Sequence, residues 1–359
     1  MTVNLDFSKL ITSWYNENKR DLPWRNTRDP YKIWLSEIIL QQTQVKQGMP
    51  YYLNFVKTFP DVFSLAKAKE NKIMKMWQGL GYYSRARNLH FAAKTIVKDY
   101  NGKFPTTYKE LLKLKGIGEY TAAAIASFAF DEPVAVLDGN VFRVLARYYG
   151  IDNPINSTEG KKIFNKKAAE VLDANQPALH NQAIMEFGAL QCKPKSPNCM
   201  FCSLNESCVA FQQNKIDVLP VKLKTLVRKK RYFHYLVFKS NEGEMIINQR
   251  LEKDIWEKLF EFPLADSMMK FRTEDVFEHE LFDILDLDET VNVQRINTKT
   301  YKHVLTHQDI FADFWLIECP NKFDKKIPNH FSVVNHKSIR KFAVPILTDK
   351  FLKEHILEN

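Results

Sequence analysis

The closely spaced cysteines of this chain constrain its fold more than any other feature of the sequence. The pattern C-x6-C-x2-C-x5-C contains four of the five cysteines, Cys192, Cys199, Cys202 and Cys208, and the fifth, Cys319, lies far away. A group this tight in a chain otherwise poor in cysteine predicts a metal site and not a disulfide framework. Zinc sites usually contain two C-x2-C pairs, and only one pair here is that close, whereas four thiolates without histidine also suit a 4Fe–4S cluster. Spacing alone leaves both metals open.

Composition favours a globular protein with an anionic partner. The 359 residues are 45% hydrophobic and 13% aromatic, which is enough for packed cores, and the net charge is +10. Such an excess suits a polyanion, either nucleic acid or an anionic membrane. The N-terminus shows no secretory signal, and the most apolar stretch, Tyr120 to Phe130, is too short to span a bilayer. We therefore expect a soluble protein of a reducing compartment, the cytoplasm.

The pattern of apolar residues divides the chain into two parts. Residues 1–214 read as helical, and residues 231–359 read as mixed α and β. Between them, residues 215–230 are expected to form an exposed basic linker. The predicted helices and strands are Lys32–Gln47, Thr107–Lys115, Tyr120–Phe130, Val141–Tyr149 and Val344–Ile356 as helices, and Tyr232–Phe238, Met245–Ile247 and His303–Ile317 as strands.

A glycine-containing turn lies between two of these helices. Gly116 suits a left-handed backbone at a helix end, and Gly118 permits close approach of a ligand to the next helix N-terminus. With Lys115 beside it, the turn predicts a helix-hairpin-helix phosphate site, whereas the simpler interpretation is a tight turn.

In addition to this turn, the sequence contains two carboxylates of interest. Asp138 precedes a helix, where an Asp is most often only an N-cap, and Glu37 has apolar neighbours within a helix, where a Glu is most often solvated. In the functional interpretation, Asp138 stabilises a positive charge that develops during the reaction. Glu37 is then partly desolvated and acts as a protonated general acid.

Several stretches, taken in order, resemble the MutY family of adenine DNA glycosylases, within the endonuclease III superfamily. The stretches are Leu22–Arg25, Ser36–Thr43, Trp77–Arg85, the glycine turn, Leu137–Asn140, Glu186–Gln191 and the cysteine cluster. The resemblance implies an all-α helix-hairpin-helix glycosylase domain with a 4Fe–4S cluster, followed by an α+β Nudix-like domain. It also implies excision of adenine from DNA containing A:8-oxoguanine or A:G mispairs, by a monomer acting in the nucleoid.

Each matching position then has an implied role. Glu37 would protonate adenine, Asp138 would stabilise the sugar cation, and Tyr120 and Asn140 would assist. Contacts to the base or the DNA would come from Trp24, Arg25, Leu40, Gln42, Thr43, Tyr82, Lys115, Gly116 and Gly118. Bifunctional relatives carry a lysine nucleophile where this chain has Tyr120, so we expect little true lyase activity.

The second domain resembles a lesion-recognition domain and not a working Nudix hydrolase. No glycine follows Gly243, and a Nudix glutamate cluster is missing from the sequence. The family's Phe-Ser-His-like loop corresponds to Leu305, Thr306 and His307, with a leucine in place of the aromatic residue. The alternatives are an endonuclease III-like pyrimidine-lesion glycosylase with lyase activity, a non-catalytic iron–sulfur DNA-binding protein, and a zinc module.

Overall fold

The computed structural model describes residues 2–223, 228–267, 273–323 and 327–357. The chain separates into two compact units. The first comprises Met1–Lys67 and Asn88–Lys224, and the second comprises Ala68–Arg87 and Thr225–Asn359. Within the described residues no helix has the length and apolar character needed to cross a membrane.

The first unit is helical. Its helices are α1 (Thr2–Asn18), α2 (Pro30–Leu40), α3 (Val45–Thr58) and α4 (Val62–Lys67); the second unit then contributes α5 (Glu70–Trp77), and α6 (Ser84–Asp99) continues from the second unit into the first. The chain goes on through α7 (Tyr108–Leu111), α8 (Glu119–Phe130), α9 (Gly139–Tyr149), α10 (Thr158–Val171), α11 (Pro177–Leu190) and α12 (Val209–Gln212).

One buried hydrophobic cluster joins α1 with α8–α12 of the first unit. Helix α9 contributes Val141, Val144 and Leu145, which recur at helical spacing and are almost fully buried. Phe164 of α10 and Phe187 of α11 belong to the same cluster. Burial of these side chains is the main favourable term in the stability of the unit.

The second unit is built around one mixed sheet. Its strands and further helices are β1 (Lys229–Ser240), β2 (Met245–Gln249), β3 (Phe260–Glu261), β4 (Leu264–Ser267), α13 (Leu281–Ile284), β5 (Val293–Arg295), β6 (Tyr301–Val304), β7 (Gln308–Cys319), β8 (Phe331–Val334) and α14 (Ile346–Leu352).

The sheet has the order β3-β2-β1-β7-β5, with β4 also on β1, β6 on β7 and β8 on β2. Strands β1 and β7 run parallel, in register from Lys229 opposite Gln308 to Ser240 opposite Cys319. Residues 233–238 of β1 are buried without alternation, as expected where both faces of a sheet are covered. Phe314 stacks on Phe351 of α14 at 3.9 Å on one face, while Phe238 packs on Phe282 of α13.

Residues 68–87 belong to the second unit through specific contacts. Lys75 donates to the carbonyl of Phe342 at 2.9 Å, and Gln78 donates to the Asp349 carboxylate at 2.8 Å. Arg87 donates to the backbone carbonyl and the carboxylate of Glu257. A division of the sequence at a single point along the chain does not show that residues 68–87 belong to the second unit.

The predicted helical and mixed parts are confirmed, but several boundaries were wrong. The helix predicted over Lys32–Gln47 is two helices, because Gln42 adopts a left-handed conformation with φ 54°. The strand predicted over His303–Ile317 is two antiparallel strands, β6 and β7, joined by a tight turn. The helix predicted over Thr107–Lys115 is the short α7, and the terminal helix continues from α14 as a π-helix over Lys353–Leu357.

The expected linker is largely exposed where it is described, but Leu219 in its first half is buried. Leu219 is 3% exposed within the core of the first unit, and its carbonyl accepts a hydrogen bond from Arg147. The carbonyl of Val221 accepts from Ile155. Residues 224–227 of the linker lie outside the described residues.

A substitution in the core tests whether the burial of an aromatic ring, and not its presence alone, stabilises the fold. Phe164→Ala removes a fully buried ring, so we expect a loss of about 3–5 kcal/mol in the free energy of unfolding, measured by urea denaturation. The matched control is Phe201→Ala, because Phe201 is 85% exposed and its removal opens no cavity. Equal losses for the two variants would contradict this account of the core.

Candidate active site

A cavity of about 600 Å³ lies within the first unit, and both predicted carboxylates line it. Glu37 and Asp138 both line it, as do Tyr120 and Asn140. Three separate parts of the chain therefore meet at one place, although they are up to about a hundred residues apart in sequence.

Helical spacing brings two helix faces to this cavity. Ile33, Glu37 and Leu40 lie along one face of α2, and Gln182, Glu186 and Ala189 lie along one face of α11. Residues spaced by three or four positions share a helix face, so each helix presents a continuous wall. Trp24 and Arg25, in the 3₁₀ turn Pro23–Arg25, complete the enclosure with Thr43.

Glu37 is a buried carboxyl group with one close donor. The Tyr120 hydroxyl donates to Glu37 Oε2 at 2.6 Å, and Glu37 is 7% exposed. Burial raises the pKa of Glu37 to about 7; the Tyr120 hydrogen bond and Arg25 lower it, while Asp138 raises it. Glu37 is thus close to half protonated at neutral pH.

Asp138 is held in a different environment. It is the N-cap of α9, and its Oδ1 accepts from the backbone N–H groups of Asn140 and Val141, both at 2.8 Å. Its Oδ2 accepts from the Asn140 amide at 2.8 Å. Burial raises the pKa of Asp138, whereas these three donors favour its anion. Asp138 is therefore an N-cap, and it also lines the cavity, as the functional interpretation requires.

Glu186 is a third buried carboxylate in the cavity, and the sequence interpretation did not select it. It is 1% exposed and accepts from Arg20 Nη2 at 2.6 Å and Arg25 Nη2 at 2.7 Å. Although burial raises the pKa of Glu186, its hydrogen bonds from Arg20 and Arg25 lower it to about 2. The sequence analysis used the run Glu186–Gln191 only as a motif. The spacing of four residues between Gln182 and Glu186 was the available signal that both lie on one helix face.

The glycine turn has the expected geometry. Gly116 has φ +83°, and a Cβ there would lie 2.6 Å from the Asn88 Cβ, so only glycine fits without a shift. Gly118 precedes α8 as its N-cap with open space around its Cα, which leaves the helix N-terminus accessible. Lys115 is exposed and its ammonium lies 4.7 Å from the Phe91 ring centroid. The exposed Glu119 in the first turn of α8 is the one feature here that opposes an anion.

The remaining predicted DNA-contacting residues are exposed at turns. Gln42 lies between α2 and α3 and is exposed. In the second unit, Tyr82 is 49% exposed with φ 46°, and its hydroxyl is 2.9 Å from the Thr306 hydroxyl. Thr306 and His307 are exposed in the turn between β6 and β7. The structure thus joins Tyr82 directly to the turn predicted for lesion sensing.

The four cysteines of the cluster converge on one small cavity. Cys192, Cys199, Cys202 and Cys208 line it together, and Arg147 Nη1 lies 3.6 Å from the Cys192 sulfur. Burial raises the pKa of Cys202 to about 11, with a further contribution from the other three thiols. Within the described parts of the chain, no three His, Cys, Asp or Glu side chains are spaced to hold a single metal ion. Four converging thiols without histidine fit the ligand set of an iron–sulfur cluster.

Comparison with known proteins agrees with this geometry. Residues 35–171 match the HhH-GPD superfamily base excision DNA repair protein family, and residues 234–354 match the NUDIX domain. The chain is 35% identical to the adenine DNA glycosylase of Buchnera aphidicola subsp. Baizongia pistaciae, covering 88% of this chain and 87% of that protein. It is 40% identical to the adenine DNA glycosylase of Buchnera aphidicola subsp. Schizaphis graminum, covering 75% of this chain and 78% of that protein.

The chain belongs to the MutY family of adenine DNA glycosylases. The family and the fold class predicted from the sequence are therefore confirmed, and the protein is a DNA glycosylase.

Solved structures agree on the fold of the helical part. A thermostable thymine-DNA glycosylase is 30% identical, with a TM-score of 0.55 over 58% of this chain and 97% of that one. An endonuclease III in a DNA complex is 19% identical, with a TM-score of 0.51 over 60% of this chain and 99% of that one, which shows a shared fold.

The raised pKa of Glu37 has a measurable consequence for the stability of the glycosylase. A carboxyl whose pKa is about 7 when folded and 4.5 in its unperturbed state binds more protons when folded, so its contribution to stability falls as pH rises between these values. Glu37→Gln removes that fall, and we expect the variant to gain up to about 3 kcal/mol over wild type at pH about 8, relative to pH about 5.

The measurement is urea denaturation at both pH values. Glu170→Gln is the matched control, because the Lys167 hydrogen bond lowers the pKa of the exposed Glu170 and its removal gives no such gain. A pH-independent effect of Glu37→Gln would show that the carboxyl is not desolvated.

Proposed function

We propose that this glycosylase excises adenine mispaired with 8-oxoguanine or guanine, by monofunctional, acid-assisted hydrolysis of the N-glycosidic bond. The observation that carries the proposal is that Glu37 and Asp138, two carboxyl groups in contrasting environments, line the same cavity. Names of relatives across bacteria, plants and mammals support adenine as the base.

Glu37 is the general acid. A group with a pKa of about 7 is protonated often enough at neutral pH to donate, and acidic enough to do so readily. Its proton goes to a ring nitrogen of adenine, so that the electron pair of the breaking bond leaves on a neutral purine. Trp24, Arg25, Leu40 and Thr43 enclose the base.

Asp138 stabilises the sugar as positive charge develops on it. Three hydrogen bonds hold its carboxylate in one orientation before the reaction starts, so little reorganisation is needed when the charge appears. Asn140 supplies two of these bonds. Water then adds to the sugar carbon, by direct attack or after a transient adduct to Asp138, and its excess proton passes to the ionised Glu37 carboxylate or to the solvent.

Tyr120 supports a glycosylase without true lyase activity. It occupies the position where a lysine would form a Schiff base, and a phenol forms no imine. Burial raises the pKa of Tyr120 well above its ordinary value, so the hydroxyl remains a donor to Glu37. The alternative, an endonuclease III-like lyase, requires an amine that forms an imine with the sugar. Borohydride reduces that imine and so traps the enzyme on DNA.

The duplex is held by its backbone while adenine leaves the stack. A stacked base cannot reach a buried carboxyl, so the nucleotide is flipped, at a cost of roughly a few kcal/mol that is lower at a mispair. The turn Lys115–Gly118 and the N-terminus of α8 bind phosphate, and Gln42 and Tyr82, both exposed in left-handed turns, enter the duplex.

The cysteine cluster is proposed to hold a 4Fe–4S group that has a structural role. Base hydrolysis transfers no electron, and Cys192, Cys199, Cys202 and Cys208 connect the end of α11 to α12. When bound, the group supplies metal–thiolate bonds that tie this segment together. We place the enzyme, as a monomer, in the cytoplasm on chromosomal DNA.

The proposed chemistry is tested by Asp138→Asn in a single-turnover assay with adenine opposite 8-oxoguanine, guanine and thymine. We expect adenine release to fall at least roughly a thousandfold, because the anion that stabilises the sugar is lost. DNA binding, measured by fluorescence anisotropy, is expected to stay near the wild-type value.

Two results would contradict the assignment. One is normal chemistry with weakened binding. The other is the absence of adenine release from every substrate by the wild-type enzyme, which would favour a non-catalytic DNA-binding protein. Borohydride trapping on the same substrates distinguishes the lyase alternative.

Lesion sensing is tested at the turn between β6 and β7. His307→Ala is expected to reduce the preference for adenine opposite 8-oxoguanine over adenine opposite guanine by roughly tenfold, since one good contact is worth about that factor. His336→Ala is the control, because His336 is an exposed histidine elsewhere in the same unit. An unchanged preference in His307→Ala would place lesion sensing elsewhere.

A further inference from the structure

A second cavity of about 410 Å³ adjoins the catalytic cavity within the first unit. Arg20, Arg25, Phe128 and Gln182 line both cavities. Their side chains therefore form the wall between the two spaces. The far side of the second cavity includes Ala178, which does not line the catalytic cavity.

Hydrolysis of a flipped nucleotide leaves two products in one place. The abasic strand still occupies the mouth through which the nucleotide entered, and the free base lies behind it, beside Glu37. Unless the base waits for the strand to dissociate, it needs another way out. This reasoning rests on the proposed function.

The wall is held unequally along its length. Arg25 is fixed by an ion pair of 2.7 Å with the buried Glu186. Gln182 is held by a neutral hydrogen bond, in which the Tyr15 hydroxyl donates to Oε1 at 2.7 Å. A neutral hydrogen bond costs less to break than a charge-assisted pair, so Gln182 moves at a lower cost than Arg25.

Ion pairs offset most of the charges around the second cavity and leave an excess of one positive charge. Arg20 and Arg25 are paired with Glu186, and Arg28 is paired with Asp131. Lys19 and Asp21 remain, and they carry opposite charges.

The remaining lining suits a flat heterocycle. Phe128, Ala178 and Leu179 are apolar, while Asn26 and Gln182 carry amides that both donate and accept hydrogen bonds. The volume lies within the range of small-ligand cavities, about 300–1,000 Å³. A free purine base has apolar faces and an edge of mixed donors and acceptors, which match this part of the lining.

We propose that the second cavity is an exit site for the excised purine, which the base enters from the catalytic cavity when Gln182 swings aside. The base then leaves the enzyme while the abasic strand stays bound.

The test separates bond cleavage from base release. Full-length enzyme is mixed in excess with duplex DNA carrying radiolabelled adenine opposite 8-oxoguanine. Quenched samples report cleavage, and rapid filtration through a membrane that retains protein and DNA reports free adenine. Ala178→Trp fills the second cavity, and we expect cleavage at the wild-type rate with adenine release slowed roughly tenfold.

The matched control is Ala174→Trp, because Ala174 is exposed before α11 and lines neither cavity. It is expected to behave as wild type in both measurements. Tyr15→Phe is the second test variant, since it keeps the ring and removes the hydroxyl that holds Gln182. We expect it to release adenine several times faster than wild type, with cleavage unchanged.

The outcomes are distinguishable from failure of the proposed function. A wild-type enzyme that cleaves no adenine refutes the proposed function itself. Cleavage with wild-type release rates in both test variants overturns the exit site, as does an equal slowing of cleavage and release in Ala178→Trp. Should Ala178→Trp fail to fold, Tyr15→Phe alone decides, and release at the wild-type rate then overturns the proposal.

Discussion

The burial of the Glu37 carboxyl group is the constraint on which the rest of the site depends. An ionised carboxylate is costly to remove from water, and the group responds by holding its proton to a pKa of about 7. The Tyr120 hydroxyl prevents the cost from rising further, since its hydrogen bond favours the anion. A stronger donor, or a paired cation, would remove the proton that acid catalysis requires.

Glu186, in the same cavity, is a buried carboxyl group that is paired with cations. It is as deeply buried as Glu37, yet Arg20 and Arg25 hold its pKa at about 2 against the effect of burial. The two carboxyl groups line the same cavity but have very different partners. The permanently charged member fixes Arg25, while the titratable member is free to exchange a proton, which is the arrangement that general acid catalysis uses.

The second unit presents the turn proposed for lesion recognition on a sheet whose central strand is buried. Its central strand β1 is buried on both faces, and α14 and α13 pack on opposite sides of the sheet. The turn holding Thr306 and His307 is fixed at its ends, because the Leu305 N–H donates to Gln308 and the Lys229 N–H donates to His307. Tyr82 reaches this turn through a single hydroxyl contact. Rigid strands thus present exposed side chains, as is common for binding loops.

Sequence by itself determined the family and the two kinds of domain, and it led to the proposals for the thiol ligand set and for Glu37, Asp138 and Tyr120 as site residues. These follow from residue types at fixed spacings, which are local properties of the chain. Only the tertiary structure decided that α2, α8, α9 and α11 meet at one cavity, that Glu186 and Gln182 belong to its wall, and that residues 68–87 pack with the second unit. It also decided where the helix after Lys32 breaks, since the left-handed turn at Gln42 leaves no distinct signal in the apolar pattern. The physical reason is that the pKa of a carboxyl group, and the neighbours that set it, depend on residues distant in sequence that burial brings together.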